Sequence, residues 1–262
     1  MNKKTIVKIL SVVLVLALGL TALWACGEKE PEVEQKDQLI MATNAAFPPY
    51  EFKEGDAFAG IDVEIAGLIA EKLGMELVIK DVEFGSIVGG VQSGKFDMGM
   101  AGMTVTDERL ESVNFTTSYA TGIQVVIVAE DSPITSLDDM LADGSMKYGV
   151  QQDTTGDIYA SDTPDNGGYG SDNVIRYKTG AEAVQALKAG KVNAVIIDNE
   201  PAKSFVAANE GLKILDAEWA VEDYAICVAK ENTELLDSIN GALAELSTEG
   251  KIDEIINKYI KG

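Results

Sequence analysis

The sequence predicts an α/β fold with two lobes, and three observations support this prediction. Short apolar runs alternate with amphipathic helical patterns from residue 38 onward, which argues for α/β layers with largely parallel sheets. About 225 residues follow residue 37, enough for one large or two modest domains. A helix–glycine–strand junction at residues 93–98 recurs 96 residues later at 189–194, with glycine where a helix would end. Such junctions are common, so the repeat alone is weak support for a duplication.

The N-terminus predicts a secreted protein held by a lipid. Three lysines precede or open an apolar run from Ile9 to Leu20, as in a secretory signal. The run is shorter than the roughly 18 residues of a membrane-spanning helix. Leu23-Trp24-Ala25-Cys26 resembles a lipobox, although Trp24 is bulkier than usual. The resemblance implies removal of residues 1–25, a diacylglycerol thioether on Cys26 and a palmitate-bearing lipoprotein. The alternative is an ordinary signal peptide with an incidental cysteine.

The body of the chain begins after a charged segment. Residues 26–37 are nearly without apolar side chains and predict a flexible tether. Beyond it, short runs of strand character alternate with helical periodicity. The expected strands are Leu39–Ala42, Leu77–Val82, Met98–Gly102, Gln124–Ala129, Lys147–Val150, Val174–Tyr177, Ala194–Asp198 and Ala225–Val228. The expected helices are Ile61–Leu73, Ser86–Ser93, Leu137–Leu141, Gly180–Lys188, Pro201–Asn209, Glu234–Leu246 and Lys251–Tyr259.

Composition excludes several kinds of site. The formal charge of −22 disfavours nucleic acid and anionic headgroups as partners. The chain has no histidine, which excludes Ser-His-Asp and Cys-His catalysis and most zinc sites. If Cys26 is lipidated, Cys227 has no partner and is expected to be a small buried hydrophobe. The acidic loop at residues 161–173 lacks EF-hand spacing, so we expect a solvated loop, no metal and no cofactor.

Residues Gly60–Leu73 carry the most informative pattern. Apolar residues recur at helical spacing and give one apolar face. Asp62 and Glu64 suit the positive end of the helix dipole, and small residues such as Gly67 are expected to let a sheet approach closely. The string G-I-D-V-E-I-A-G-L-I-A-E-K-L resembles, without a gap, the signature of family 3 extracellular solute-binding proteins. These are the polar amino acid receptors of ABC importers, the glutamine-binding protein among them.

The resemblance covers residues 38–262 and implies a periplasmic-binding-protein-like type II fold. In this fold two α/β lobes are joined by a two-strand hinge. It places residues 38–120 and 225–262 in lobe 1, and residues 121–224 in lobe 2. The hinge crossings are expected near residues 119–123 and 221–225, with the C-terminal helices returning to lobe 1. Ligand in the cleft would favour the closed form, which a membrane permease reads.

Two loops of the first lobe are expected to reach the ligand. Two prolines stiffen the loop after the first strand and hold Phe47 at the strand's end. Phe84 follows the second strand. Taken alone, both rings suit a core, whereas the resemblance implies that they sandwich the ligand side chain. It also makes Asn44 a binding position, where several basic amino acid receptors and the glutamine receptor carry aspartate.

The motif from Ala101 to Arg109 is the strongest chemical signal. A receptor for free amino acids must satisfy one carboxylate and one ammonium group, and arginine grips a carboxylate through two parallel N–H···O bonds. The resemblance gives that role to Arg109. It adds the hydroxyl and amide of Thr104, and the carbonyl of Gly102 for the ammonium. The alternative is a helix capped by Thr106, with Arg109 in solvent.

The second lobe is expected to supply the remaining contacts. Gln151, Thr154 and Thr155 match a family element that completes the carboxylate site. Asp153 replaces the usual glycine of that element, which puts the conformation of the loop in question and places an anion near the pocket.

Asp198 ends an apolar strand, where an unpaired buried carboxylate would be costly. The resemblance makes Asp198 the partner of the ligand ammonium, whereas the residues alone also allow it to cap the helix that Pro201 begins. Both can hold through different oxygens.

The resemblance therefore implies a receptor and not an enzyme. The expected protein is a monomer anchored to the outer face of the cell membrane, which binds a free polar L-amino acid and delivers it to an ABC transporter permease. Because Asn44 replaces aspartate, we expect an uncharged ligand such as glutamine first, a basic one second and an acidic one last. One alternative is a cyclohexadienyl-dehydratase-like enzyme, with Glu51, Glu83 or Asp153 as proton donor. Another is a sensor for a separate signalling partner.

Overall fold

The computed structural model describes residues 37–142 and 144–260. The predicted signal segment, Cys26 and the tether up to residue 36 lie outside the described residues. Within these two ranges, no helix is both long enough and apolar enough to cross a membrane.

Strands and helices alternate along most of the described chain. The strands are β1 (Gln38–Thr43), β2 (Ala46–Phe47), β3 (Glu51–Glu54), β4 (Ala57–Ala59), β5 (Glu76–Asp81), β6 (Met98–Gly99), β7 (Val113–Phe115), β8 (Ala120–Ala129), β9 (Tyr148–Gln151), β10 (Val174–Tyr177), β11 (Ala194–Asp198), β12 (Leu212–Ile214), β13 (Ala220–Tyr224) and β14 (Cys227–Ala229). The helices are α1 (Ile61–Lys72), α2 (Ser86–Gln92), α3 (Asp107–Ser112), α4 (Leu137–Ala142), α5 (Thr155–Ser161), α6 (Gly180–Lys188), α7 (Asn199–Ala208), α8 (Thr233–Thr248) and α9 (Lys251–Tyr259).

Lobe 1 is the α/β layer built on a five-stranded sheet of order β5-β1-β6-β14-β7. Its β1, β5 and β6 are parallel, whereas β14 runs antiparallel to β6 and β7. The C-terminal helices α8 and α9 pack on α1. Lys72 on α1 bridges Glu245 and Glu249 of the C-terminal region at 3.0 and 2.8 Å. The last helices therefore lie on the same lobe as the first.

Lobe 2 is the layer built on the second sheet, of order β10-β9-β11-β8-β12, to which β13 adds by pairing with β8. The β9 strand is parallel to β10 and β11, and β8 is antiparallel to its neighbours. Both sheets are thus mixed, and the expectation of largely parallel sheets is wrong. The strands that run against their neighbours are β14 in the first sheet and β8 in the second, and each is the first strand after the chain passes from one sheet to the other.

Two strands carry the chain between the sheets. The chain leaves the first sheet after β7 and enters β8, and it returns from β13 to β14. Along this passage β8 and β13 are paired antiparallel from Gln124↔Ala220 to Ala120↔Tyr224. A single bridge between Thr104 and Tyr224 attaches a loop of lobe 1 to β13. Loops that end the strands of both sheets meet beside this pair.

All the predicted helices form, and the differences in strands are local. The run expected as one strand at Met98–Gly102 keeps only Met98–Gly99, because Gly102 turns at φ +50°. Of the run expected at Ala225–Val228, only Cys227 and Val228 lie in a strand, because β13 ends at Tyr224 and β14 begins at Cys227. Helix α7 begins two residues before Pro201. The short β2, β3, β4, β7 and β12 lack a long apolar run and were not predicted.

The acidic loop at residues 161–173 is only partly solvated. Tyr169 in this loop is buried and packs on Tyr148 and Trp219, with ring centroids 4.3 and 5.4 Å away. Through Tyr169 the loop closes one end of the core of lobe 2. In the part of the chain that the structure describes, no group of His, Cys, Asp and Glu side chains is arranged to hold a metal ion.

Candidate functional site

One cavity lies between the two lobes and collects all ten residues that the sequence singles out for ligand contact. In this arrangement only about 10 Å³ of it is open to the centre of a water-sized molecule, so the lining side chains lie close together. Its lining is Asn44, Phe47, Glu51, Phe84, Ala101, Gly102, Thr104, Arg109, Gln151, Thr154, Thr155 and Asp198. Residues from positions 44 to 198 thus reach one volume, because several lie at strand ends beside the lobe junction, such as Asn44 after β1 and Asp198 at the end of β11.

Arg109 is buried at one wall of this cavity, with 8% of its surface exposed. Thr106 caps α3 by accepting from the backbone amide of Arg109 at 3.2 Å. The Arg109 side chain donates to the Thr104 carbonyl at 2.7 Å and, across the cleft, to the Asp153 carbonyl at 3.0 Å. Its guanidinium carbon lies 5.2 Å from the ring centre of Phe84. The predicted cap forms, while the alternative of a solvated Arg109 is excluded.

Burial changes the ionisation of Arg109 but leaves it a cation. Desolvation lowers its pKa, and the negative charge of Glu222 opposes that shift. Arginine starts so far above neutral pH that a moderate fall keeps it charged. Its guanidinium has five N–H donors, and only two of its nitrogens bond protein carbonyls. The remaining donors are available to an anion.

Asp198 is the corresponding carboxylate from lobe 2. It occupies the N-cap position of α7, yet its side chain makes no capping bond. Instead it accepts a short hydrogen bond from the Tyr224 hydroxyl. Burial, and next the negative charge of Glu222, raise the pKa of Asp198 to about 7. The capping role that the residues alone allowed is not adopted, and the carboxylate faces the cavity.

Asn44 and Gln151 join the lobes on another side of the cavity. The Gln151 side-chain amide donates to the Asn44 side-chain oxygen at 2.9 Å. The Asn44 amide nitrogen in turn donates to the Val82 carbonyl at 2.7 Å. Both side chains are buried. Together with the bond from Arg109 to Asp153, this contact shows the cleft in a closed arrangement, so a ligand needs the lobes to part before it enters.

The loop before α5 adopts the conformation that its unusual aspartate left in question. Asp153 has φ +64° and is the one non-glycine residue with positive φ among those described. Aspartate tolerates this region better than most residues. Thr154 caps α5 by accepting from the Asp157 amide at 3.3 Å, and its hydroxyl donates to the Gln151 carbonyl at 2.8 Å. The loop therefore keeps the turn that the usual glycine would allow.

The two predicted aromatic residues both line the cavity and also pack in the protein. Phe47 stacks on Tyr50, with ring centroids 6.0 Å apart and 28° between the ring planes. A Cβ on Gly102 would come within 2.9 Å of the Phe47 ring. Glycine is therefore needed at position 102 both for its positive φ and for this close approach. Phe84 contacts the Arg109 guanidinium, as described above.

Glu51 is a buried carboxyl that lines the cavity beside a second buried acid, Asp62. It is 1% exposed. Burial, and next the negative charge of Asp62 and a hydrogen bond shared with the Asp62 side chain, raise its pKa well above the ordinary value. Two adjoining acids in this position carry a desolvation cost, which a cationic or donor-rich ligand would relieve.

Asp62 fixes the backbone of the Gly102 turn. It is fully buried and accepts from the Gly102 amide and from the Tyr119 hydroxyl, each at 2.8 Å. Burial raises its pKa to about 6, although these two bonds act in the opposite direction. From the sequence, its position in the first turn of α1 indicates only a helix-dipole effect. The structure adds a contact from α1 to the loop that carries Thr104 and Arg109.

Glu222 is a functional candidate that the sequence patterns did not single out. It lies on β13, is 4% exposed, and accepts from the hydroxyls of Thr104 and Thr155, each at 3.0 Å. The side-chain amide of Gln124 also donates to it, at 3.1 Å. A signal was available: strand alternation places Glu222 on the same face as Tyr224, so a carboxylate points inward on an otherwise apolar strand face.

The sequence profile of the bacterial extracellular solute-binding proteins, family 3, matches residues 39–262. The arginine-binding extracellular protein ArtP of Bacillus subtilis (strain 168) is 32% identical over 253 residues, covering 95% of this chain and 96% of ArtP. Among solved structures, an ancestral arginine-binding protein bound to glutamine superimposes with a TM-score of 0.79 at 35% identity, covering 87% of this chain and 99% of that one. These similarities support the type II binding-protein fold.

A further structural similarity bears on the enzymatic alternative. The ancestral amino acid-binding protein AncCDT-1, a precursor of cyclohexadienyl dehydratase, has a TM-score of 0.76 at 28% identity. The superposition covers 86% of this chain and 96% of that one. AncCDT-1 is thus a binding protein that precedes an enzyme, so the fold itself is compatible with either role.

Proposed function

Because the chain belongs to the bacterial extracellular solute-binding proteins of family 3, we propose that it binds one free polar L-amino acid between its lobes. The observation that carries the proposal is the meeting of Arg109 and Asp198. These buried groups of opposite charge come from different lobes and face the same cavity. A zwitterion offers one carboxylate and one ammonium, and each would find its partner only when the lobes are closed.

The α-carboxylate is assigned to Arg109. The guanidinium is held by the Thr104 carbonyl and the ring of Phe84, so its remaining donors are fixed in direction before the ligand arrives. Arginine bonds a carboxylate with two parallel hydrogen bonds. The backbone amide of Thr104 is the further donor that the family resemblance implies. The bond from Arg109 to the Asp153 carbonyl is the one that a bound carboxylate would compete with.

The α-ammonium is assigned to Asp198 and the Gly102 carbonyl. Asp198 is buried, so its charged form is favoured once a cation lies beside it. Gly102 is held in place by the bond from its amide to Asp62, which leaves the carbonyl of the same turn to the ligand. The hydroxyls of Thr104 and Thr155 lie at the same cavity. This end of the cavity is therefore rich in acceptors, as an ammonium requires.

The ligand side chain is assigned to the region of Phe47, Glu51 and Asn44, and here the structure changes our expected order of ligands. The uncharged-first order depended on Asn44 in place of aspartate. In the structure the Asn44 amide is already bonded to Gln151 and Val82, whereas the Glu51 carboxyl lies beside another acid, Asp62, with which it shares a hydrogen bond. A cationic side chain such as that of arginine would meet Glu51. We therefore place arginine first and glutamine second, in line with the arginine-binding ArtP and the ancestral protein bound to glutamine.

The wider role is a receptor that presents its ligand to the permease of an ABC importer from the outer face of the cell membrane. We propose that Cys26 carries the lipid anchor, that residues 26–37 form the tether, and that the protein acts as a monomer. We place lobe 1 at residues 38–120 with 225–262 and lobe 2 at residues 121–224. The antiparallel pairing of β8 with β13 supports a hinge near residues 119–123 and 221–225.

Titration calorimetry against the twenty standard amino acids tests the proposal. We expect saturable heat with arginine, weaker heat with glutamine, and none with most apolar ligands. A protein that gives neither heat nor a thermal shift with any of them is not the receptor proposed here.

A dehydratase-like activity is the second candidate, favoured by the similarity to AncCDT-1. Of the three acids considered as proton donors, Glu51 lines the cavity and has a raised pKa. By contrast, Asp153 lies at the rim and Glu83 pairs with Lys178 at 2.6 Å on the surface. Incubation with prephenate and arogenate separates the candidates. Turnover of either compound would show an enzyme, whereas binding of arginine without any turnover would show a receptor.

A further inference from the structure

Glu222 gathers hydrogen bonds from both lobes onto one carboxylate oxygen. The hydroxyl of Thr104 reaches it from lobe 1, and the hydroxyl of Thr155 and the amide of Gln124 reach it from lobe 2. Glu222 itself lies on β13, the strand that leads back to lobe 1. The carboxylate therefore sits where the two lobes and the passage between them meet, and in this closed arrangement it joins all three.

The direction of these bonds decides what the two threonines can offer a ligand. A hydroxyl has one proton to donate and two lone pairs that accept. A carboxylate only accepts, so Thr104 and Thr155 direct their protons to Glu222. Both residues line the cavity, and their oxygens can then act toward it only as acceptors. Acceptors suit an ammonium group and oppose a carboxylate.

We propose that Glu222 is a positioning residue that turns the hydroxyls of Thr104 and Thr155 into acceptors for the ligand's α-ammonium and so links ligand binding to closure at β13. This inference rests on the proposed function. It assigns the α-carboxylate to Arg109 and backbone amides alone, because neither hydroxyl has a proton left for it. The charge of Glu222 also supports the cationic form of Arg109, whose pKa it holds up against burial.

The first test replaces Glu222→Gln, which keeps the size of the side chain and removes its charge. We expect the affinity for L-arginine to fall about tenfold or more, as for loss of a hydrogen-bonded charge. The matched control is Asp223→Asn, an equal change of charge at the next residue of β13, where the side chain is exposed. The control should bind L-arginine as the wild type does. Equal affinity of Glu222→Gln and wild type would overturn the inference.

A double-mutant cycle separates positioning from a general loss of structure. Thr155→Val removes the hydroxyl and keeps the shape of the side chain. If Glu222 acts through Thr155, the double variant should lose no more L-arginine affinity than the more impaired single variant. Additive losses would show that Glu222 acts by another route and would contradict the inference. A merely structural role would lower the melting temperature without this coupling in ligand affinity.

Two further outcomes have a defined meaning. If Glu222→Gln does not fold, Thr104→Val and Thr155→Val are measured singly with the carboxylate in place, and each should weaken L-arginine binding. Unchanged affinity in both would overturn the inference. A wild type that binds none of the twenty amino acids would overturn the proposed function together with the inference, whereas wild-type binding with an unaffected Glu222→Gln would overturn the inference alone.

Discussion

At the scale of single residues, Arg109 can be tested against the only other arginine of the chain. Arg109→Lys should weaken ligand binding by about 2 kcal/mol or more, because a bidentate charge-assisted pair becomes a single point contact. Arg176 is the control, since it is exposed at the rim and paired with Asp157 at 2.9 Å. Calorimetry with L-arginine should show little change for Arg176→Lys. Similar losses for the two variants would remove Arg109 from the site.

Glu51 is the residue on which side-chain preference depends. Glu51→Gln should lower L-arginine affinity about tenfold and change L-glutamine affinity far less, because only the charged ligand loses an ionic partner. Since Glu51 has a raised pKa, arginine binding should also release a proton in the wild type. Calorimetry in buffers of different ionisation enthalpy measures that release.

Glu54→Gln is the control for this test, because Glu54 lies on the same strand with its side chain exposed. It should bind both ligands as the wild type does. A loss of equal size for arginine and glutamine in Glu51→Gln would show that Glu51 does not set the preference.

Arg109 and Asp198 received their roles from the family resemblance, together with the chemistry of a ligand that carries one carboxylate and one ammonium. The fold brings both side chains to one cavity. Glu222 was missed because its role depends on three donors distant in sequence, at positions 104, 124 and 155. No local pattern records such a meeting. Asn44 was identified, but its bond to Gln151 could not be foreseen, since the relative position of the lobes decides it.

At the scale of secondary-structure elements, the start of α1 depends on a glycine. Gly60 has φ +122°, and a Cβ there would lie 2.2 Å from the Tyr50 carbonyl oxygen. Gly60→Ala should therefore lower the free energy of unfolding by about 3 kcal/mol or more, because the backbone must shift to relieve both the strain and the clash. Chemical denaturation measures the change.

Gly67 is the control within the same helix. A Cβ at Gly67 would meet nothing within 4 Å, so the expectation that it lets a sheet approach is wrong. Gly67→Ala should raise stability by about 0.5–1 kcal/mol, the usual gain of alanine over glycine in a helix. Destabilisation by Gly67→Ala, or tolerance of Gly60→Ala, would contradict the geometry of α1.

Helices were easier to predict than strands for a physical reason. A helix such as α6 or α9 satisfies its own backbone hydrogen bonds, so local spacing determines it, and both form at the expected residues. Strands take their bonds from partners elsewhere in the chain. The five-stranded sheet of lobe 1 is mixed because β14 pairs antiparallel with β6 and β7. No pattern within residues 227–229 indicates this pairing.

At the scale of the whole molecule, buried carboxylates make stability and affinity respond to pH in opposite directions. The pKa values of Asp62 and Asp198 are raised to about 6 and 7. A raised acid pKa stabilises the folded state below the unfolded pKa, and that contribution is lost as pH rises through the folded value. The unliganded protein should thus lose stability from about pH 4 to about pH 7. Ligand affinity should rise over the same range, because the ammonium requires ionised Asp198.

Thermal unfolding and calorimetry across this range measure the two trends. Asp198 accepts a hydrogen bond from Tyr224 and interacts electrostatically with the negative charge of Glu222 and the positive charge of Arg109. Asp198→Asn should weaken binding and flatten much of the pH dependence of what remains. Affinity that falls with rising pH in the wild type would contradict the assignment of the ammonium to Asp198.

The net charge of the molecule leads to the last prediction, which concerns rates. The chain carries a formal charge of −22, and Arg109 is the single cation among the lining residues of the cavity. A field of this sign attracts a cationic ligand over distances that salt screens. The association rate of arginine should fall about tenfold between low and high salt, whereas that of glutamine, which has no net charge, should barely change. Stopped-flow fluorescence of Trp219, three residues before Glu222, follows both reactions.

In competition at one ionic strength, arginine should bind tightest and glutamate weakest, since Arg109 is already engaged by the α-carboxylate and the described lining offers glutamate no second cation. Glutamate binding tightest, or equal salt dependence for arginine and glutamine, would show that the acidic surface and cavity do not select the ligand.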